Sequence, residues 1–101
     1  MKMLDERVRR IFGDTMHLEL LLLFYKNREY AATTSELSEL YRVSVLTIRE
    51  IVDDFIHAGI LKRELVKEEE GCRELVMLNK DSPCTRIVFR FLKEIEGGLC
   101  S

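Results

Sequence analysis

A mainly α-helical domain with one small β-hairpin is the fold class this chain predicts, on three observations. Residues 33–61, TTSELSELYRVSVLTIREIVDDFIHAGIL, hold two short amphipathic helix patterns parted by a Val43-Ser44 break. Residues 61–79, LKRELVKEEEGCRELVMLN, alternate strand-forming and charged residues on either side of Glu70-Gly71, which reads as two strands about a turn. Before and after these segments, apolar residues recur at helical spacing. Helices as short as those in 33–61, with so little chain between them, must cross. That arrangement is a helix-turn-helix.

Each element has its own local signals. Leu4, Val8, Ile11 and Phe12 follow helical spacing, with Arg7, Arg9 and Arg10 largely off the stripe, and Gly13-Asp14 interrupts the pattern. Asp14 is the expected N-cap of the next helix, whose run MHLELLLLFYKN is apolar almost all the way round. Such a helix has to be buried on every side. Tyr30-Ala31-Ala32 is read as a short third strand. Thr33 and Glu36 stand at capping-box spacing, and Leu37, Leu40 and Tyr41 fall on one face of the helix that follows. Ser44 is placed to cap the second helix, with Ile48, Ile51, Val52 and Phe55 as its apolar face. Gly59 sits where a left-handed residue commonly stops a helix. After the hairpin, Ser82 and Pro83 mark a helix start as cap and first helical residue. In that helix Ile87, Val88, Phe91, Leu92 and Ile95 form one stripe, and Phe89 lies off it.

Composition sets the limits. With 101 residues and 47% hydrophobic content, the chain can bury one core and not two. A single domain over residues 1–101 is therefore expected, with an N-terminal helix in 1–13, a long helix and the helix-turn-helix in 14–61, the hairpin in 62–79 and a C-terminal helix in 82–97. The longest apolar run, Leu20–Tyr25, falls far short of the ~20 residues of a membrane span. The opening MKMLDERVRR has acidic residues and no apolar signal core. An intracellular, cytoplasmic protein without a membrane partner is expected. The sequence has no Gln and only Asn27 and Asn79 as amides, against 34% charged residues, a balance that leans toward a thermophilic source.

Catalytic and metal chemistry finds no purchase. His17 and His57 lie far apart without spaced carboxylate or cysteine partners, and no glycine-rich phosphate loop, nucleophile elbow or paired-histidine motif is present. Cys72, Cys84 and Cys100 make no C-x-x-C, which argues against a structural zinc site. Cys84 is expected in the core, and Cys72 and Cys100 are expected to be exposed, with cross-linking or redox sensing left open. No enzyme, cofactor or metal site is expected. The first long helix and the last one together carry more apolar surface than one small domain covers. A monomer would show a patch that demands explanation. A homodimer is expected, the alternative being that Met3–Phe12 folds back and covers the surplus.

The run E-L-S-E-L-Y-R-V-S-V-L-T-I-R-E-I-V-D-D-F-I-H-A-G-I-L, followed by a hairpin at this distance, resembles the winged helix-turn-helix of MarR-like and ArsR-like regulators, a type common in archaea and archaeal viruses. The resemblance covers roughly half the chain. It implies a winged-helix fold whose second motif helix enters the DNA major groove with its first turns facing the bases. Matched residue by residue, Ser44, Val45, Leu46, Thr47, Arg49 and Glu50 hold those positions. Arg49 is the candidate for bidentate contact with guanine. Ser44 and Thr47 are candidates for phosphate, and Val45, Leu46 and the Thr47 methyl for thymine methyls. Arg42 stands in the turn, where relatives often carry Gly, and is placed to approach the backbone. In the hairpin, the "wing" of such folds, Lys62, Arg63, Lys67 and Arg73 are candidates for phosphate or minor-groove contact. The resemblance further implies dimerisation through the terminal helices and a role as a sequence-specific transcription regulator on double-stranded DNA.

Charge argues the other way. The chain carries a formal net charge of −2, and residues 34–60 set Arg42 and Arg49 against Glu36, Glu39, Glu50, Asp53 and Asp54, 2 − 5 = −3. The wing tip is Glu68-Glu69-Glu70. Phosphate neutralisation supplies most non-specific affinity, so a weak grip on random DNA is expected. The alternative function is a winged-helix module for protein assembly that does not bind DNA.

Overall fold

The computed structural model of the chain describes residues 2–97. Helix α1 is Lys2–Phe12 and helix α2 is Met16–Lys26. The cap between them falls on Thr15, one residue beyond the expected Asp14: Thr15 Oγ1 accepts from the Leu18 amide at 3.2 Å. The Asp14 carboxylate instead lies 3.5 Å from Arg9 Nε. Arg9 also donates from Nε and Nη2 to Glu19 Oε2 at 3.1 and 2.7 Å, which raises its already high pKa and ties α1 to α2.

Strand β1, Ala31–Ala32, is the expected short third strand. Helices α3, Thr34–Tyr41, and α4, Val45–His57, follow with both predicted caps formed. Thr33 Oγ1 accepts from the Glu36 amide at 3.1 Å while Glu36 Oε1 accepts from the Thr33 amide at 2.9 Å. The Thr33 amide bond holds the Glu36 carboxyl below its ordinary pKa. Strands β2, Leu61–Glu68, and β3, Gly71–Leu78, pair antiparallel from Leu61↔Leu78 to Glu68↔Gly71, and β1 adds to the far edge of β3. The sheet order is thus β1-β3-β2. Helix α5, Pro83–Glu96, closes the domain. The order of helices and strands, with α3 and α4 crossing and the hairpin behind them, is a winged helix-turn-helix, as expected from the sequence.

The core gathers around α2. Leu20 and Phe24 are fully buried with Leu37 of α3, Ile48 and Val52 of α4, Val76 of β3, Leu92 of α5, and Leu4 and Val8 of α1. Three expected faces turned out differently. Leu40 is 54% exposed, because α3 sinks Leu37 and packs Tyr41 rather than Leu40 against the core. On α1 only Leu4 and Val8 go in, and Ile11 and Phe12 remain outside. On α5 the buried line is Thr85, Phe89, Leu92 and Ile95, so Phe89 replaces Ile87 and Phe91 as a core side chain. The cause is non-local. The Phe89 ring meets Tyr25 edge-on at 5.1 Å, and the Arg28 guanidinium lies over both rings. Cys84 is half-buried against the core and Cys72 is exposed, while Cys100 lies outside the described residues.

Gly59 ends α4 with φ +83°, and a Cβ there would lie 3.0 Å from Ser82 Oγ. A left-handed L-residue costs about 1–2 kcal/mol before any contact. Gly59→Ala is therefore expected to lower stability by roughly 1–2 kcal/mol or slightly more in urea denaturation, with the slope of the transition unchanged.

Candidate nucleic-acid interface

Helix α4 sorts its residues cleanly into two faces. Ile48, Ile51 and Val52 are buried, whereas Val45, Leu46, Thr47, Arg49 and Glu50 face solvent. Ser44 Oγ accepts from the Thr47 amide at 3.0 Å and lies 2.8 Å from Thr47 Oγ1. The cap therefore holds both hydroxyls at the very start of the helix, beside the positive end of its dipole. Leu46 is 62% exposed, with no protein surface over it.

Arg42 caps α3 in the left-handed region, φ 56° and ψ 43°, and is the one non-glycine residue with positive φ among those described. The turn closes through the Val43 amide, which donates to the Ser38 carbonyl at 3.2 Å, and Ser38 Oγ, which donates to the Val43 carbonyl at 2.5 Å. The backbone thus points the exposed Arg42 side chain outward beside the first turn of α4. Among the described residues neither Arg42 nor Arg49 enters an ion pair.

The four basic residues of the hairpin behave differently. Lys62 pairs with Glu64 at 2.9 Å, and Arg73 Nε with Glu68 at 2.8 Å. Arg63 reaches Asp53 of α4 at 2.5 Å and Glu74 of β3 at 3.2 Å, bracing the hairpin against the helix. Only Lys67, opposite Cys72 in the register, has no such partner among the described residues. Sequence reasoning placed all four as outward contacts. The brace escapes it because Asp53 and Arg63 are ten residues apart in two different elements, with no periodic signal linking them.

Three acids of the motif have local partners. Of the five acids in 34–60, Glu36 is held in the capping box, Asp53 by Arg63, and Asp54 by His17 Nε2 at 2.8 Å. His57 Nδ1 lies 2.7 Å from the Asp53 carbonyl, so it too is occupied locally. Of these contacts only the Arg63–Asp53 pair brings a permanent cation to the motif, which moves its balance from −3 to −2. The wing tip keeps its charge, since Glu69 and Glu70 form the exposed turn.

A second surface is apolar. Phe12 meets Phe91 edge-on at 6.0 Å, and with Ile87, Val88, Leu21 and Phe55 they border an open groove of about 500 Å³ between α1, α2, α4 and α5. Among the described residues no set of three His, Cys, Asp or Glu could hold a metal ion, and no helix is long and apolar enough to cross a membrane.

No family model matches the sequence, and no curated protein compared with it matches. Solved structures do. The chain is similar to a transcriptional regulator homologue protein from Pyrococcus horikoshii OT3, at 14% identity and a TM-score of 0.64, over 99% of this chain and 95% of that one. It is also similar to a possible transcriptional regulator from Methanosarcina mazei Go1, at 15% identity and a TM-score of 0.60, over 95% of this chain and 78% of that one. At such identities the likeness is one of fold.

Proposed function

We propose that this winged-helix chain is a homodimeric, sequence-specific DNA-binding transcription regulator, of the kind found in archaea. The observation that carries the reading is the outer face of α4. Leu46, Arg49 and Glu50 project from its first two turns with Arg42 beside them, and no other element covers them. An arginine held left-handed is a small standing cost that glycine would avoid, which fits a side chain retained for what it touches. Arg49 is assigned to guanine, Leu46 and Val45 to thymine methyls, and Arg42, Lys67 and the capped start of α4 to phosphate. Ser44 and Thr47 contribute through that cap, and Lys62, Arg63 and Arg73 mainly through shaping the wing. A second copy is assigned to the groove bordered by Ile87 and Phe91, where isologous pairing of α5 covers both sets of exposed side chains.

Two substitutions test the DNA contacts, measured by fluorescence anisotropy on the preferred sequence and on unrelated DNA. Arg49→Ala is expected to cost roughly 1–3 kcal/mol on the preferred sequence and to relax discrimination at one base pair. Arg42→Gly is expected to weaken binding to all sequences alike, while stability stays within about 1 kcal/mol because relief of the left-handed strain offsets glycine's extra freedom in the unfolded chain. If both variants bind like the parent protein, the DNA reading fails.

The assembly-module reading draws on one specific observation, the exposed acidic wing tip. Changing Glu68, Glu69 and Glu70 together to Gln is expected to raise affinity for unrelated DNA at low salt, since an acidic tip near phosphate is repelled. Unaltered affinity places the wing away from the duplex and leaves α4 as the sole contact.

A further inference from the structure

Positive charge that the helix-turn-helix lacks is collected at the opposite end of the hairpin. Arg28 from the α2–β1 loop, Lys80 from the β3–α5 loop, and Arg86, Arg90 and Lys93 from one side of α5 line a single concavity of about 310 Å³. Its floor is apolar, formed with Leu78 and Phe89, and no carboxylate belongs to its walls. Leu78 pairs with Leu61 at the base of the hairpin, whereas the tip begins at Glu68↔Gly71. Seven residues of strand at ~3.4 Å each put the tip about 24 Å away. The concavity is therefore separate from the wing tip.

Two of the cations are positioned by the fold. The Arg28 guanidinium lies 5.5 Å from the Tyr25 ring centre and 5.3 Å from that of Phe89, and Arg86 Nη2 donates to the Asp81 carbonyl at 2.9 Å. Acids do adjoin the site. Glu29 pairs with Lys80, Asp81 neighbours Arg86, and Glu94 stands 4.0 Å from Arg90 at the limit of an ion pair. Glu96 accepts from the Tyr25 hydroxyl at 2.9 Å, close to Arg28, and with all four acids counted the neighbourhood is 5 − 4 = +1 in a chain whose net charge is −2. Cations converging on an apolar floor repel one another, and an oxyanion bound among them relieves that repulsion. Guanidinium groups match such oxygens in pairs. The volume is at the lower end of the ~300–1,000 Å³ typical of small-ligand sites, and a concavity this size admits a compact molecule rather than a duplex.

We infer that this concavity binds a small, multiply charged oxyanion, a phosphate ester or a di- or tricarboxylate, at one site per chain. The inference stands whether or not α4 reads DNA. Isothermal titration calorimetry of the full chain near physiological salt, with pyrophosphate and with citrate as probes, distinguishes the two anion chemistries. At least one is expected to bind one per chain with Kd below about 1 mM, and Arg86→Gln with Arg90→Gln is expected to weaken it by about tenfold or more. Arg90→Gln with Lys93→Gln, which touches only exposed side chains, guards against misfolding and is expected to act in the same direction. Arg10→Gln, at an exposed α1 residue that does not line the concavity, is expected to leave binding unchanged. Absence of binding by both probes overturns the inference, as does equal weakening by Arg10→Gln, which signals diffuse charge. If neither probe binds and the α5 variants lose affinity for duplex DNA, the cluster is a nucleic-acid surface instead.

Discussion

Phe24→Ala is expected to destabilise the fold by about 3–5 kcal/mol, the usual cost of emptying a buried phenylalanine site. Phe24 is 1% exposed in the last turns of α2, its ring is 5.8 Å from that of Tyr30, and it belongs to the buried cluster shared with α3, α4 and β3. Those elements can collapse little into the gap, because they are also fixed by the capping box and by the Arg63 brace. A small domain has only about 5–15 kcal/mol in total, so the variant should be poorly folded near its working temperature. Urea denaturation followed by circular dichroism, at equal protein concentrations, measures it. A loss under about 1 kcal/mol would mean that α2 is not the centre of the core.

The second large effect concerns association. Ile87→Glu together with Phe91→Glu is expected to turn a species of about twice the 11.9 kDa chain mass into one of 11.9 kDa by light scattering. Ile87 is 68% exposed and Phe91 44%, so in an isolated chain these changes remove little packing. Burying both side chains in both protomers is worth at most roughly 6–12 kcal/mol, at about 1.5–3 kcal/mol each, and charge at those positions forfeits it. A parent protein that stays at the single-chain mass at high concentration removes the dimer. With it goes the expectation of an inverted-repeat target.

How much of this was legible in the sequence follows from the range of each interaction. The helix-turn-helix could be read almost residue by residue because its determinants are local. Thr33 with Glu36, Ser44 with Thr47, and Gly59 at positive φ each act within one turn of helix. The hairpin was likewise set by alternation, although its two-residue turn is Glu69-Glu70, one residue before the expected Glu70-Gly71. The face of α5 was not legible, because Phe89 and the Ile87–Phe91 line compete on the same helix. Tyr25 and Arg28, some sixty residues earlier, decide which one enters the core. That reversal leaves Ile87 and Phe91 outside, so the apolar surplus survives on the terminal helices even though α1 buries Leu4 and Val8 against them. For the candidate interface, sequence located α4 and its outward residues. It could not foresee that Arg63 of the wing pairs with Asp53, or that His17 of α2 reaches Asp54. Net charge alone therefore missed one offset carboxylate at this helix, that of Asp53.

Selection of bound sequences from a random duplex pool at moderate salt tests the central claim most directly. The account predicts an enriched inverted repeat with half-sites about one helical turn apart, ~10 base pairs, read by Arg49 from each protomer. A dimer that enriches no sequence over successive rounds would contradict it and leave the fold to serve protein assembly.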